Sequence, residues 1–160
     1  MAFEMDGLTL ARAAHVLAIV LWIGGVAFVT LVLLPALRTM NTDVRLAMFE
    51  RIERRFGVQA KFAVLVAGAS GFYMTHELQA WGRFLDLRFW WIHAMVAVWL
   101  LFGFVLFIAE PLFLHAWFLR YAASHPERSF NLLQRMHTVL LTASLVTVAV
   151  AVLGAHGALP

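Results

Sequence analysis

The chain contains no cysteine among its 160 residues. Disulfide bonds, thiolate metal sites, iron–sulfur clusters and the covalent attachment of c-type haem are therefore excluded. A bound metal must use histidine, methionine, carboxylate, tyrosine or backbone ligands instead. The sequence also has no P-loop, no G-x-G-x-x-G and no H-E-x-x-H, and its serines lie in no nucleophile motif. The common soluble-enzyme chemistries are thus not indicated.

Charge is scarce as well. Only 13% of the residues are charged, about half the usual share of roughly 25%, while 63% are hydrophobic and the mean hydropathy is +0.85. These values predict an integral membrane protein, with the lipid bilayer around it and no separate soluble domain. The high pI of about 10.2 does not indicate a nucleic-acid partner, because the basic residues cluster in two loops as membrane topology requires.

Four apolar segments predict an all-α bundle of four transmembrane helices that forms a single domain over residues 1–160. The spans are expected at about 8–34, 58–80, 89–118 and 136–156. The first is expected to end at Pro35, and Glu110-Pro111 to kink the third. Glu4 and Asp6 precede the first apolar run, where a cleavable signal would be basic. That run is therefore expected to remain as the first helix.

An amphipathic segment, residues 42–56, lies between the first and second spans. Its apolar residues fall roughly on one side and its arginines take much of the rest. The pattern is typical of a helix that lies on the cytoplasmic membrane surface. It is equally compatible with a cytoplasmic extension of the second span, because only Gly57 interrupts it.

The distribution of basic residues predicts the orientation. The loops 35–61 and 120–135 hold most of the 12 lysine and arginine residues. The opposite side has only Arg12, Arg83 and Arg88. The positive-inside rule then places both basic loops in the cytoplasm and both termini outside, as expected for a bacterial-type inner membrane.

Two histidines are expected inside the apolar layer at similar depth. His15 lies about 4.5 Å past Arg12 along its helix, and His93 about 6 Å past Phe89. Two neutral imidazoles at matched depth on facing helices suit the axial ligation of a haem iron. Trp22 shares the helical face of His15, and Gly24-Gly25 would let a helix or a flat ligand approach. Arg12 and Arg88 are candidates to pair with haem propionates.

Other uses of the histidines remain open. A single histidine near an interface often only packs between helices. His76, His137 and His156 are reserve metal ligands, and an outer set of histidines and methionines would suit copper. His115 and His137 on the inner side, with Glu110 nearby, would suit a second haem. Glu110 itself is better explained as part of a helix end than as a proton site.

The stretch HVLAIVLWIGG at residues 15–25 resembles the first helix of the copper resistance protein D family and of the bacterial four-helix membrane protoporphyrinogen oxidases. Shorter similarities follow at Glu53-Arg54-Arg55, at Trp91-Ile92-His93 and at Phe130-Asn131. The resemblance implies a four-helix bundle that binds haem b, with His15 as the ligand from the first helix. It also implies copper handling. The oxidases have a lysine two positions after the third-span histidine, where this chain has Met95.

These observations lead to one functional prediction with two alternatives. The chain is expected to be a membrane-embedded b-type haem protein with a redox role, as an electron-transfer protein or an oxidoreductase. It would move electrons between a membrane quinone or a periplasmic partner and another acceptor. The alternatives are a copper-binding or copper-transport protein and a cofactor-free subunit of a membrane complex. A homo-oligomer is left open.

Overall fold

A computed structural model of the chain describes residues 6–114, 117, 120–121 and 124–158, and describes the backbone alone at positions 42 and 43. This part of the chain is helical and contains no strand. Helix α1 covers Gly7–Leu37 and α2 covers Thr42–Glu77. Two short 3₁₀ segments, Ala80–Leu85 and Leu87–Phe89, lead into α3, which is α-helical over Trp90–Phe104 and π-helical over Val105–Leu114. Helix α4 covers Pro126–Ala155.

Helix α1 continues past the proline at which it was expected to end. Asp6 caps its start by accepting a hydrogen bond from the backbone N–H of Leu8. Near its end, the stretch Val29–Leu33 is π-helical, and Pro35 follows within the next helical turn. A proline ring clashes with the carbonyl four residues earlier, and a local π-helix widens the turn at that point. The third predicted span shows the same association, because Pro111 lies within the π-helical stretch of α3.

Helix α2 joins the amphipathic segment and the second span into one continuous helix. Its 36 residues correspond to about 54 Å of helix, well beyond the thickness of a bilayer core. Residues 42–56 therefore extend the predicted second span instead of forming a separate surface helix. Its apolar side packs against protein, because Phe49 is buried with Leu34, Leu37 and Phe130. That burial outweighs the cost of about 1 kcal/mol for a glycine inside a helix.

Helix α4 begins at Pro126, well before the expected start near residue 136. Proline suits this first helical position because it has no N–H to leave unpaired and its φ is already helical. Leu133 and Phe130, on the added turns, pack against the ends of α1 and α2. The expected end of the third span near residue 118 lies outside the described residues.

All four helices contribute to one apolar core. Trp22 of α1 meets Phe102 of α3 edge to face at 4.9 Å, and Val64 of α2 and Leu141 of α4 are buried beside them. Within the described part of the chain, three helices are long and apolar enough to cross a membrane, namely Gly7–Leu37, Leu87–Leu114 and Pro126–Ala155. Helices with the length and apolar composition that a membrane span needs are thus confirmed for three of the four predicted spans.

Glycines bring the helices close together. The Trp99 ring covers Gly68, where an added Cβ would lie 2.5 Å from the indole. Phe56 covers Gly25 in the same way, and Trp91 covers Gly154. The space at Gly25, which we expected a helix or a flat ligand to approach, is thus filled by the Phe56 side chain of α2. Gly24 is different, because a Cβ there would meet no atom within 4 Å.

Candidate functional site

His15 lies on the face of α1 that packs against α2. Its Nδ1 is 2.9 Å from the carbonyl oxygen of Ala67 and 3.1 Å from the Oγ of Ser70. A carbonyl oxygen only accepts hydrogen bonds, so Nδ1 carries the proton and Nε2 keeps a lone pair. A histidine that binds a metal through one ring nitrogen commonly donates the other N–H to such a carbonyl. His15 therefore has the hydrogen bonding of an oriented metal ligand.

Two small residues of α2 make room for this ring. A Cβ at Gly71 would lie 3.3 Å from Cε1 of His15, which is tighter than an ordinary contact. Ser70 donates its hydroxyl proton to the carbonyl oxygen of Val66 at 2.6 Å, so its oxygen can still accept from His15. The α2 surface thus fixes both the position and the tautomer of His15.

His93 is held by the segment that precedes its own helix. Its Nε2 donates to the carbonyl oxygen of Phe84 at 3.0 Å, and the Phe84 ring packs edge-on against it at 6.1 Å. Its Nδ1 is buried and has no hydrogen-bond partner among the residues that the structure describes. A buried polar atom without a partner is costly, and a lone pair in that state suits a metal or a donor. His93 therefore resembles His15 in having one ring nitrogen that could bind a metal.

The two predicted ligands are held by different elements. His15 bonds to α2, whereas His93 bonds to the 3₁₀ segment. His93 also precedes the core residue Phe102 by nine positions, which places the two on opposite sides of α3. Each histidine separately fits the donor chemistry of haem iron, and His15 fits it better because its ring lies at a helix–helix interface inside the bundle.

The two arginines expected beside a propionate behave differently. Arg88 pairs with Asp86 at 2.7 Å and is itself 80% exposed. Its hydrogen bonds to the carboxylate hold the pKa of Asp86 below the ordinary value. Arg12 is exposed on the second turn of α1 and forms no ion pair within the described part of the chain. Of the two arginines, Arg12 is therefore the one without a competing carboxylate among the described residues.

Two of the reserve histidines lie at the ends of helices. His76 is exposed at the end of α2, and His156 is exposed after α4 with Nδ1 donating to the carbonyl oxygen of Val152 at 2.8 Å. His115 is outside the described residues. Among the residues that the structure describes, no three histidine or carboxylate side chains come together as a metal site.

Sequence reasoning missed a cavity of about 180 Å³ toward the end of the bundle that carries the basic loops. Trp22 and His137, which the sequence singled out separately, both line it. The ring of His137 donates from Nδ1 to the carbonyl oxygen of Leu133 at 3.0 Å, which leaves Nε2 as an acceptor. The indole N–H of Trp22 is buried, and no described residue provides an acceptor for it. Helical periodicity alone does not predict that these two residues share a space.

An ion pair at the same cavity was also missed. Glu110, which lines the cavity, accepts a hydrogen bond from Nζ of Lys61 at 3.1 Å. Glu110 was expected to be part of a helix end, and Lys61 to extend to the membrane interface. The pair could have been predicted from the sequence, because Lys61 and Glu110 are opposite charges in two apolar segments. An ionisable side chain among membrane helices usually has a partner.

Comparison with known proteins adds no relative. No family model, no curated protein and no solved structure matches the chain. Its function must therefore be argued from the residues themselves.

Proposed function

We propose that this chain is a membrane-embedded b-type haem protein with a redox role, and that His15 is a ligand of the haem iron. The observation that carries the proposal is the hydrogen bond from Nδ1 of His15 to the carbonyl oxygen of Ala67 at 2.9 Å. That bond directs the free lone pair to Nε2 and holds the ring between two helices. Haem bound there would supply one-electron chemistry.

His93 is the proposed second ligand. Its buried Nδ1, which has no partner among the described residues, supports ligation. The support is weaker than for His15, because His93 lies on the side of α3 opposite the core residue Phe102. Trp22 would contribute an apolar wall and Arg12 a cation for a propionate. Arg88 would have to exchange Asp86 for the propionate. The proposed redox partners are a membrane quinone or a protein on the outer side.

The proposal includes α2 as a fourth membrane span. The second half of α2 shares the core with the three other helices through Ala63, Val64 and Ala67. On its opposite side, Phe62 and Leu65 are 69% and 55% exposed, as lipid-facing residues would be in a chain without its membrane. Lys61 is paired with Glu110. Both termini are then proposed to face outward across an inner membrane, with the basic loops in the cytoplasm.

The test is haem retention in histidine variants of the detergent-purified full chain. We expect His15→Ala and His93→Ala each to lose most of the bound haem, because each removes one iron ligand. His125→Ala is the matched control, since His125 is exposed and stacks on Tyr121 near the opposite end. Full haem occupancy in His15→Ala would refute the proposal. Full occupancy in His93→Ala alone would leave His15 as the ligand and refute the pair. Stoichiometric copper without haem would favour the copper alternative.

A further inference from the structure

The cavity near His137 is separate from the two proposed haem ligands, neither of which lines it. Its buried end is formed by Trp22, Ala60 and Phe102, which come from three different helices. Its other end is formed by Leu132 and Met136 of α4, which are 40% and 42% exposed. The space therefore runs from the middle of the bundle to the level of Met136, where the fourth proposed span begins.

The volume limits what the cavity can hold. An apolar protein cavity of about 150 Å³ binds benzene, and this cavity of about 180 Å³ is slightly larger. It has room for one substituted six-membered ring. Most drug-sized ligands and a porphyrin need more space, because such pockets usually measure about 300–1,000 Å³. A single ring with an attached chain that leaves between Leu132 and Met136 fits the shape.

The polar groups define the chemistry of that ring. The Trp22 side chain is 2% exposed and its N–H has no acceptor. An unmatched buried donor of this kind favours a ligand that carries an acceptor oxygen. His137 offers Nε2 as an acceptor, because its Nδ1 proton is already donated to Leu133. With its indole turned toward the cavity, Trp22 would donate to a quinone carbonyl, and a quinol hydroxyl would donate to the imidazole.

We infer that this cavity binds the ring of a lipid-soluble quinone. The inference deepens the proposed function, on which it rests for its redox meaning, by giving the quinone a binding site of its own. The apolar walls suit the ring, the Trp22 N–H and His137 Nε2 suit its two oxidation states, and the exposed end suits its isoprenoid tail. His15 and His93 take no part in this site.

The experiment titrates the detergent-purified full chain with ubiquinone carrying one isoprene unit and measures binding by equilibrium dialysis. We expect saturable binding of one quinone per chain. Trp22→Phe keeps the aromatic ring but removes the donor, so its affinity should fall about tenfold. Trp99→Phe is the matched control, because the Trp99 N–H donates to the carbonyl oxygen of Val64 away from the cavity. Its affinity should stay within about twofold.

A second pair of variants blocks the cavity without removing any polar group. Gly57 lines the cavity and an added Cβ there meets no atom within 4 Å. Gly57→Leu should abolish binding while preserving the helix, because leucine is the better helix former. Gly103 has equal room but does not line the cavity, so Gly103→Leu should bind normally. Unchanged affinity in Gly57→Leu would overturn the inference even if Trp22→Phe failed to fold.

Two further results would also overturn it. One is the absence of saturable binding to the wild-type chain. The other is equal displacement of the quinone by 1-decanol, which would show that the cavity accepts any lipid chain. Haem content is measured on the same samples. Quinone binding without haem would contradict the proposed function alone, and haem without quinone binding would contradict this site alone.

Discussion

Replacing Gly68 with alanine tests how closely α2 and α3 are packed. The new Cβ would lie 2.5 Å from Cζ2 and 2.8 Å from Nε1 of Trp99. The indole cannot simply retreat, because its N–H donates to the carbonyl oxygen of Val64 at 2.8 Å. Overpacking of this kind costs about 1–3 kcal/mol, and a weakened neutral hydrogen bond adds about 0.5–1.5 kcal/mol. Alanine recovers about 1 kcal/mol through its higher helix propensity.

Gly68→Ala should therefore lower the free energy of unfolding by about 2 kcal/mol, as the balance of these effects. The assay is unfolding in mixed micelles of increasing dodecyl sulfate content, followed by circular dichroism. Gly103→Ala is the matched control in α3, because a Cβ there meets no atom within 4 Å. It should unfold at the wild-type midpoint or slightly later. Equal stability of the two variants would refute the close packing, and with it the membership of α2 in the bundle.

Two further predictions concern the charges and the orientation. Lys61→Met leaves the Glu110 carboxylate without its cation, and because both side chains are about one-third exposed we expect a loss of about 1–3 kcal/mol in the same unfolding assay. Lys61→Met/Glu110→Leu should recover most of that loss, and a double variant no more stable than the single one would contradict the pairing. The chain lacks cysteine, so single cysteines report topology cleanly. Gly82→Cys should react with an impermeant maleimide from the outside, Thr39→Cys only after permeabilisation, and the reverse pattern would contradict the proposed orientation.

Local sequence patterns predicted the helices well because apolar length and periodicity decide them. The buried face of α1, with Ala18, Trp22 and Val26, follows directly from the helical repeat. The continuity of α2 through Gly57 did not follow, since a glycine and a change of composition both suggest a break. Packing of Phe49 and Phe56 against other helices decided it, and those contacts are distant in sequence.

The candidate site was predictable only in its residue types. Matched depth singled out His15 and His93, but depth gives no information about which side of a helix faces which neighbour. The ring of His93 is hydrogen-bonded to the Phe84 carbonyl oxygen in the segment before α3, and the path of that segment determines this contact. The shared cavity of Trp22 and His137 likewise depends on how α1 and α4 are placed against each other. Such placement comes from tertiary packing.

The most direct test of the haem proposal is an absorbance spectrum of the detergent-purified wild-type chain, oxidised and then reduced with dithionite, with iron and copper measured on the same sample. We expect a sharp α-band on reduction and about one iron per chain, because one pair of histidine ligands holds one haem. A colourless protein without iron, prepared with haem supplied during expression and purified under mild conditions, would contradict the account.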